Sequence, residues 1–300
     1  MDRKKFIKKS LLGAAGIVAG TSTLRAKNVK LKHSTYDKMI EQVGFNHLPA
    51  ENKNLSNKEM QQMKTVLHKA NTRGHANHGW LDSHHSFSFA HYYNPERMNF
   101  GVLRVLNDDV VSGGKGFNTH PHDNMEIISI PLEGDLEHKD SMGKKAVIKA
   151  GDVQVMSAGT GVYHSEFNKN QNQEVRFLQI WMFPNQKNVA PRYDQITLDK
   201  KAVNNDFRQI LSPDANDDGV WVHQNAWFHI GEFQDGGEKT YRIKDSKNGV
   251  YAFVLEGEVT IEGQELSKRD GFGIWDTNSI NVKAGKNTRL LLMDVPMQLS

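Results

Sequence analysis

Cysteine is absent from all 300 residues, which excludes a disulfide framework, thiolate metal ligation and a cysteine nucleophile. Long apolar runs are absent too. The most apolar stretch, Leu11 to Gly20, is interrupted by Gly13, Gly16 and Gly20 and falls short of the roughly 20 residues that span a bilayer. Most of the chain also lacks an excess of positive charge. The formal net charge is +3, yet Arg3, Lys4, Lys5, Lys8, Lys9 and Arg25 sit near the N-terminus against Asp2 alone. Taking these six bases and one acid from 38 and 35 leaves 32 bases against 34 acids. A body so near neutrality carries no electrostatic footprint for nucleic acid.

What is present begins with that basic N-terminus. Residues 1–9 form a basic region, Leu11 to Gly20 an apolar one, and Leu24-Arg25-Ala26 a candidate cleavage site. Together they predict an export signal over 1–26. Arg3-Lys4-Lys5-Phe6-Ile7-Lys8 resembles a twin-arginine signal with Lys4 in place of the second arginine. The expectation is a periplasmic protein without a stable membrane anchor once the leader is removed. Residues 27–75 form a polar extension. Within it Ser56-Asn57-Lys58-Glu59 is a capping-box pattern, followed by Met60, Met63, Val66 and Leu67 at helical spacing. This predicts one amphipathic helix near 57–70.

From Trp80 onward the pattern is that of strands. Val175, Phe177, Gln179, Trp181 and Phe183 alternate with residues that are themselves largely apolar, and short strands punctuated by Gly, Asn and Asp recur to the C-terminus. Leu132-Glu133-Gly134-Asp135-Leu136 returns as Leu255-Glu256-Gly257-Glu258-Val259, and Gly151-Asp152-Val153 as Gly271-Phe272-Gly273. Two copies of one unit predict an all-β chain of two tandem barrels, over 76–190 and 191–300, divided near Pro184 and Pro191.

The chemistry concentrates in the first copy. His120 and His122 share one strand face with Glu126, and His164 and Glu166 share the face of a second strand. Neutral imidazoles and a carboxylate converging from two strands suit a first-row divalent metal, and a four-ligand set leaves positions open on metals that prefer five or six. Glu126 and Glu166 compete for the carboxylate position. Aligning the glycines of the two copies puts Ile243, Asp245 and Ala284 where His120, His122 and His164 stand, and no histidine follows His229. The second barrel is therefore read as structural. His84 and His85 fall on opposite faces and read as surface or structural residues. His138 reads as solvated, and Arg176, Gln179 and Trp181 as core packing rather than pocket lining.

His120-Pro-His122-Asp-Asn-Met-Glu126, Leu132-Glu-Gly-Asp-Leu-Glu-His138-Lys-Asp-Ser141 and Gly159-Thr-Gly-Val-Tyr-His164-Ser-Glu166 resemble the pirin family, particularly its bacterial quercetinase-like members. Gly79-Trp80-Leu81-Asp82-Ser83 and Arg176-Phe-Leu-Gln-Ile-Trp181 carry the likeness further, so that it covers about 75–300. The resemblance implies two cupin (jelly-roll) barrels and one divalent metal held by His120, His122, His164 and Glu166. Iron is the expected ion, and nickel, copper, manganese or zinc are compatible. It also implies a dioxygenase acting on flavonols such as quercetin, with a small aromatic substrate and dioxygen as its partners and Glu166 taking the substrate's hydroxyl proton. A metal-dependent binding or redox-sensing protein is the alternative, and an isomerase or hydrolase on the same scaffold a third reading. Three departures stand out: Asp123-Asn124-Met125 replaces the Arg-Gly-Phe of many relatives, the stretch between the leader and residue 75 has no counterpart in the family pattern, and an export signal is unusual in the family.

Overall fold

The computed structural model describes residues 62–199 and 205–299. The leader over 1–26, the capping box and the first part of the expected helix lie outside them.

In chain order the first strands are β1 (Lys64–His68), β2 (Gly74–Asn77), β3 (Leu81–His85), β4 (Leu103–Val111), β5 (Gly116–His122) and β6 (Glu126–Glu133). They are followed by β7 (Asp135–Asp140), β8 (Lys145–Lys149), β9 (Asp152–Ser157), β10 (Val162–Asn168), β11 (Val175–Met182) and β12 (Arg192–Thr197). The second half adds β13 (Asp206–Ser212), β14 (Val220–Trp221), β15 (Trp227–Phe233), β16 (Gly237–Arg242) and β17 (Asn248–Glu256). It ends with β18 (Glu258–Ile261), β19 (Gln264–Ser267), β20 (Gly271–Trp275), β21 (Ser279–Ala284) and β22 (Thr288–Pro296).

Each half pairs a large sheet with a small one. The first joins β12-β9-β6-β11-β4-β3-β2 to β5-β10-β7-β8, and the second joins β1-β20-β17-β22-β15-β13-β14 to β16-β21-β18-β19. The sequence repeat marks equivalent places. Gly134 and Gly257 both sit at φ +76°, each turning one large-sheet strand into a small-sheet strand. A Cβ at Gly134 would lie 2.8 Å from the Glu174 carbonyl, and one at Gly257 2.6 Å from Thr288 Oγ1. Only glycine suits that backbone at that clearance.

One buried apolar cluster runs through both halves, bringing Phe87, Phe100, Leu103 and Ile127 together with Phe228, Tyr251, Phe253 and Leu291. The barrels are thus joined by shared core rather than by a wet interface. A separate cluster around Val250, Val259, Ile274 and Val282 fills the second barrel. In the first, the apolar filling is a small group around Leu81, Val111, Leu136 and Phe177, which leaves the rest of the interior to polar side chains.

Two expectations need correction. The segment assigned to an amphipathic helix is strand β1 where it is described, and the only helical element among the described residues is the 3-10 turn Ala70–Thr72. Met63 and Leu67 still pack on the second barrel's core, because residues four apart share a face in a strand as well as in a helix. The open edge of β20 decides the matter by pairing with β1 at five positions, from Lys64↔Trp275 to His68↔Gly271. The division near Pro191 also moves, since β12 pairs with β9 from Arg192↔Ser157 to Thr197↔Asp152 and so completes the first large sheet.

Candidate metal centre

The small sheet of the first barrel builds the site. β5 is its edge strand, where Pro121 can sit without breaking a ladder, because an edge tolerates the missing N–H. Antiparallel pairing sets His164 directly opposite His120 and Val162 opposite His122. The three imidazoles therefore meet, with ring centroids 4.9 Å apart for His120–His122, 4.4 Å for His120–His164 and 5.0 Å for His122–His164. One nitrogen from each lies within 4.8 Å of the others.

The protonation of these rings suits a cation. His120 Nδ1 lies 2.7 Å from the Asn118 carbonyl, so Nδ1 carries the hydrogen and Nε2 is left with a lone pair. His122 Nε2 and both nitrogens of His164 are buried without a hydrogen-bond partner. Burial pushes all three below the ordinary imidazole value, His122 to about 3, so they are neutral near pH 7. Unpartnered buried polar atoms cost about 1–3 kcal/mol each. A bound cation recovers that cost, and the residues present fit a divalent metal.

Glu166 joins the cluster through His164, its carboxylate grouping with His164 and His138. On β10 it pairs with His138 of β7 on one side and with Phe117 of β5 on the other. Gln179 Nε2 donates to Glu166 Oε2 at 2.7 Å, and Ser129 Oγ donates to Oε1 at 2.9 Å. Burial lifts its pKa to about 7 against these two bonds. Glu126 is in none of the donor groups found among the described residues. It accepts from Ser157 Oγ at 2.8 Å and from the His223 backbone N–H at 3.2 Å, where the two barrels meet.

Three assignments from sequence change here. His138 is not solvated: it is fully buried, its Nε2 lies 2.9 Å from Asp140 Oδ2, and its ring is 5.3 Å from that of His164. The inward parity of Leu136, His138 and Asp140 on β7 was the signal for it. Gln179 and Trp181 line the site rather than only packing the core. The Trp181 ring stands edge-on to His122 at 4.9 Å, and its indole N–H has no partner. Arg176 is exposed, against Glu133 and Glu174.

The Glu126 carboxyl gives one prediction. Burial raises its pKa from 4.5 to about 7, outweighing the Ser157 and His223 hydrogen bonds. A group raised in the folded state leaves stability intact below pH 4.5 and withdraws it as pH rises toward 7. Glu126→Gln stays neutral throughout, so it should gain about 3 kcal/mol on the intact chain between pH 4.5 and pH 8. Denaturant unfolding of the metal-free proteins at the two pH values measures this, and an equal difference at both would refute it.

Two sheets per half, a buried histidine cluster inside the first half and a shared core define a metal-binding protein of two cupin domains. Residues 66–182 match the Pirin family model, and 209–295 match the quercetinase C-terminal cupin domain. The chain belongs to the pirin family. It is 46% identical over 230 residues to quercetin 2,3-dioxygenase of Escherichia coli, covering 77% of this chain and 98% of that protein. It is 38% identical over 222 residues to a pirin-like protein of Caulobacter vibrioides, covering 74% and 95%. Among solved structures it is similar to the bacterial pirin YhhW from Escherichia coli in complex with nickel(II), with 44% identity, a TM-score of 0.73 and coverage of 78% and 99%.

Proposed function

We propose that this protein is a quercetin 2,3-dioxygenase, opening flavonols with dioxygen at a divalent metal in its first barrel. The observation that carries the reading is the group of three neutral imidazoles with converging nitrogens, those of His122 and His164 lacking hydrogen-bond partners, inside a chain 46% identical to an enzyme of that name. His120, His122 and His164 would hold the ion, with Glu166 as the fourth ligand. When bound, it supplies a Lewis acid for the substrate's oxygens and a centre for dioxygen chemistry. Iron is the ion we assign, and reconstitution with nickel, copper, manganese and zinc tests that choice.

The remaining chemistry belongs to side chains. Glu166 would take the flavonol hydroxyl proton, since a carboxylate within reach of a metal-bound hydroxyl is a competent general base. Gln179 and Ser129 fix the orientation of that carboxylate. Trp181 presents an apolar ring and a free N–H to an aromatic substrate. Metal-loaded protein mixed with quercetin under nitrogen should bind it without ring opening, and admitting air should start oxygen uptake and bleach the flavonol absorbance. Stable binding in air with no uptake would instead make this a metal-dependent binding or sensing protein.

We further propose export through a twin-arginine-like route, supported by the basic residues 1–9 and the glycine-interrupted apolar segment behind them. Cell fractionation should find a shortened periplasmic form. Full-length protein confined to the cytosol would end the proposal.

A further inference from the structure

A second group of metal donors lies on the other sheet of the first barrel, away from the site just described. β2 is the outermost strand of the large sheet and pairs with β3 from Gly74↔His85 to Asn77↔Asp82. This register sets His75 directly across from His84. Asp82, two residues before His84, shares its face, whereas Ser83 and His85 turn inward and are buried. The hairpin that holds them is fixed at its tip, where His78 N donates to the Leu81 carbonyl at 2.8 Å and Gly79 N donates to Asn77 Oδ1 at 2.8 Å.

The donor atoms are already close. Asp82 Oδ1 lies 2.7 Å from His75 Nε2 and 3.7 Å from His84 Nδ1, and the three are within 4.8 Å of one another. The imidazoles stack at 4.5 Å between centroids and 20° between planes. A tetrahedral ion with ligands at about 2.0–2.2 Å keeps neighbouring donors roughly 3.4 Å apart. The two observed distances straddle that value, so shifts of well under 1 Å in half-exposed side chains would close the set. The carboxylate is oriented from behind, since Asn77 Nδ2 stands 3.4 Å from Asp82 Oδ2 and leaves Oδ1 toward the rings. Burial, with Arg73 and His75 nearby, disfavours the proton on His84, and the charge of Arg73 is itself met by Asp108 at 3.1 Å.

We propose that His75, Asp82 and His84 form a second divalent-metal site, which takes a borderline cation such as Zn(II) through two imidazoles and one carboxylate. Imidazole with carboxylate favours Zn(II), Ni(II) or Cu(II) over Mg(II) or Ca(II). Three ligands leave a coordination position open to water. The site faces solvent, so its ion exchanges freely, unlike one enclosed by the first barrel. Its occupation would also reinforce the pairing of the edge strand β2 with β3.

Equilibrium dialysis of the full chain against Zn(II) alone, followed by metal analysis, tests this. The intact protein should take up one more equivalent than His75→Gln/His84→Gln, at free Zn(II) well above that filling the first site. The same difference of one should persist when both proteins also carry His122→Ala, which separates this site from the first. Quercetin-dependent oxygen uptake of His75→Gln/His84→Gln, loaded at its first site only, should match the intact chain and so establish that the variant is folded. Equal zinc uptake by the intact and variant chains would overturn the proposal and leave an ordinary His–Asp hydrogen bond beside a ring stack.

Discussion

His122→Ala should yield a folded protein that keeps no metal through gel filtration and consumes dioxygen with quercetin at least about 100-fold more slowly than the intact chain. Groups that merely support a ligand typically cost 10–100-fold in metal affinity or activity when replaced, so loss of a proposed direct donor should exceed that range. The metal-free fold should be little affected. His122 Nε2 has no hydrogen bond to lose, and the packing removed is its ring contacts with Trp181, His120 and His164. The clearest readout is the melting temperature with and without added metal. A ligand stabilises in proportion to the logarithm of its concentration over its dissociation constant, so the metal-induced rise should vanish in the variant at metal concentrations too low to fill the solvent-facing His75, Asp82 and His84 group. Stoichiometric metal kept by His122→Ala through gel filtration would refute the histidine assignment.

Glu166→Gln should lose metal affinity and activity together, again by about 100-fold or more in each. Each Glu166 oxygen accepts one hydrogen bond, from Ser129 or from Gln179, and keeps a further lone pair for a cation. The glutamine isostere fills the same volume but removes the negative charge and places an amide where a lone pair is needed. Glu126→Gln, in contrast, should retain one equivalent of metal, because Ser157 and the His223 backbone hold that carboxylate at the barrel junction. The reverse pattern, with metal lost from Glu126→Gln and kept in Glu166→Gln, would move the fourth ligand to β6.

The sequence made the histidine centre legible because strand alternation is a rigid rule. His120 and His122 could only share a face, and His164 needed only to pair opposite them. The repeated Leu-Glu-Gly motif was equally readable, since its glycine occupies the same positive-φ turn in both barrels. Less was legible where partners are distant. Nothing local to Lys64–His68 indicates that the edge of β20 will draw it out of a helix. His138 sat in a hairpin of charged residues, and its burial follows from Asp140 pairing with it inside the barrel. The register shift between His164 and Glu166, where Glu166 meets Phe117 on β5, could not be read from spacing either. Such an extra residue on β5 lets β10 keep its alternation while the partner strand slides, and it sets Phe117 rather than Asn118 opposite Glu166.

Strand β1 bears on how the molecule is made. The first described strand to leave the ribosome is the one that finishes the second barrel, where His68 meets Tyr251 Oη at 2.9 Å and Lys69 meets Asp270 at 2.6 Å. Chains usually acquire structure domain by domain as they are synthesised, but here an early segment has no partner until some two hundred residues later have emerged. Pairings of that sequence separation are slow to form. Cut after β12, the first half would keep every strand of its barrel but the second would lose β1 and expose the edge of β20, and with the shared core this ties the two cupins into one cooperative folding unit.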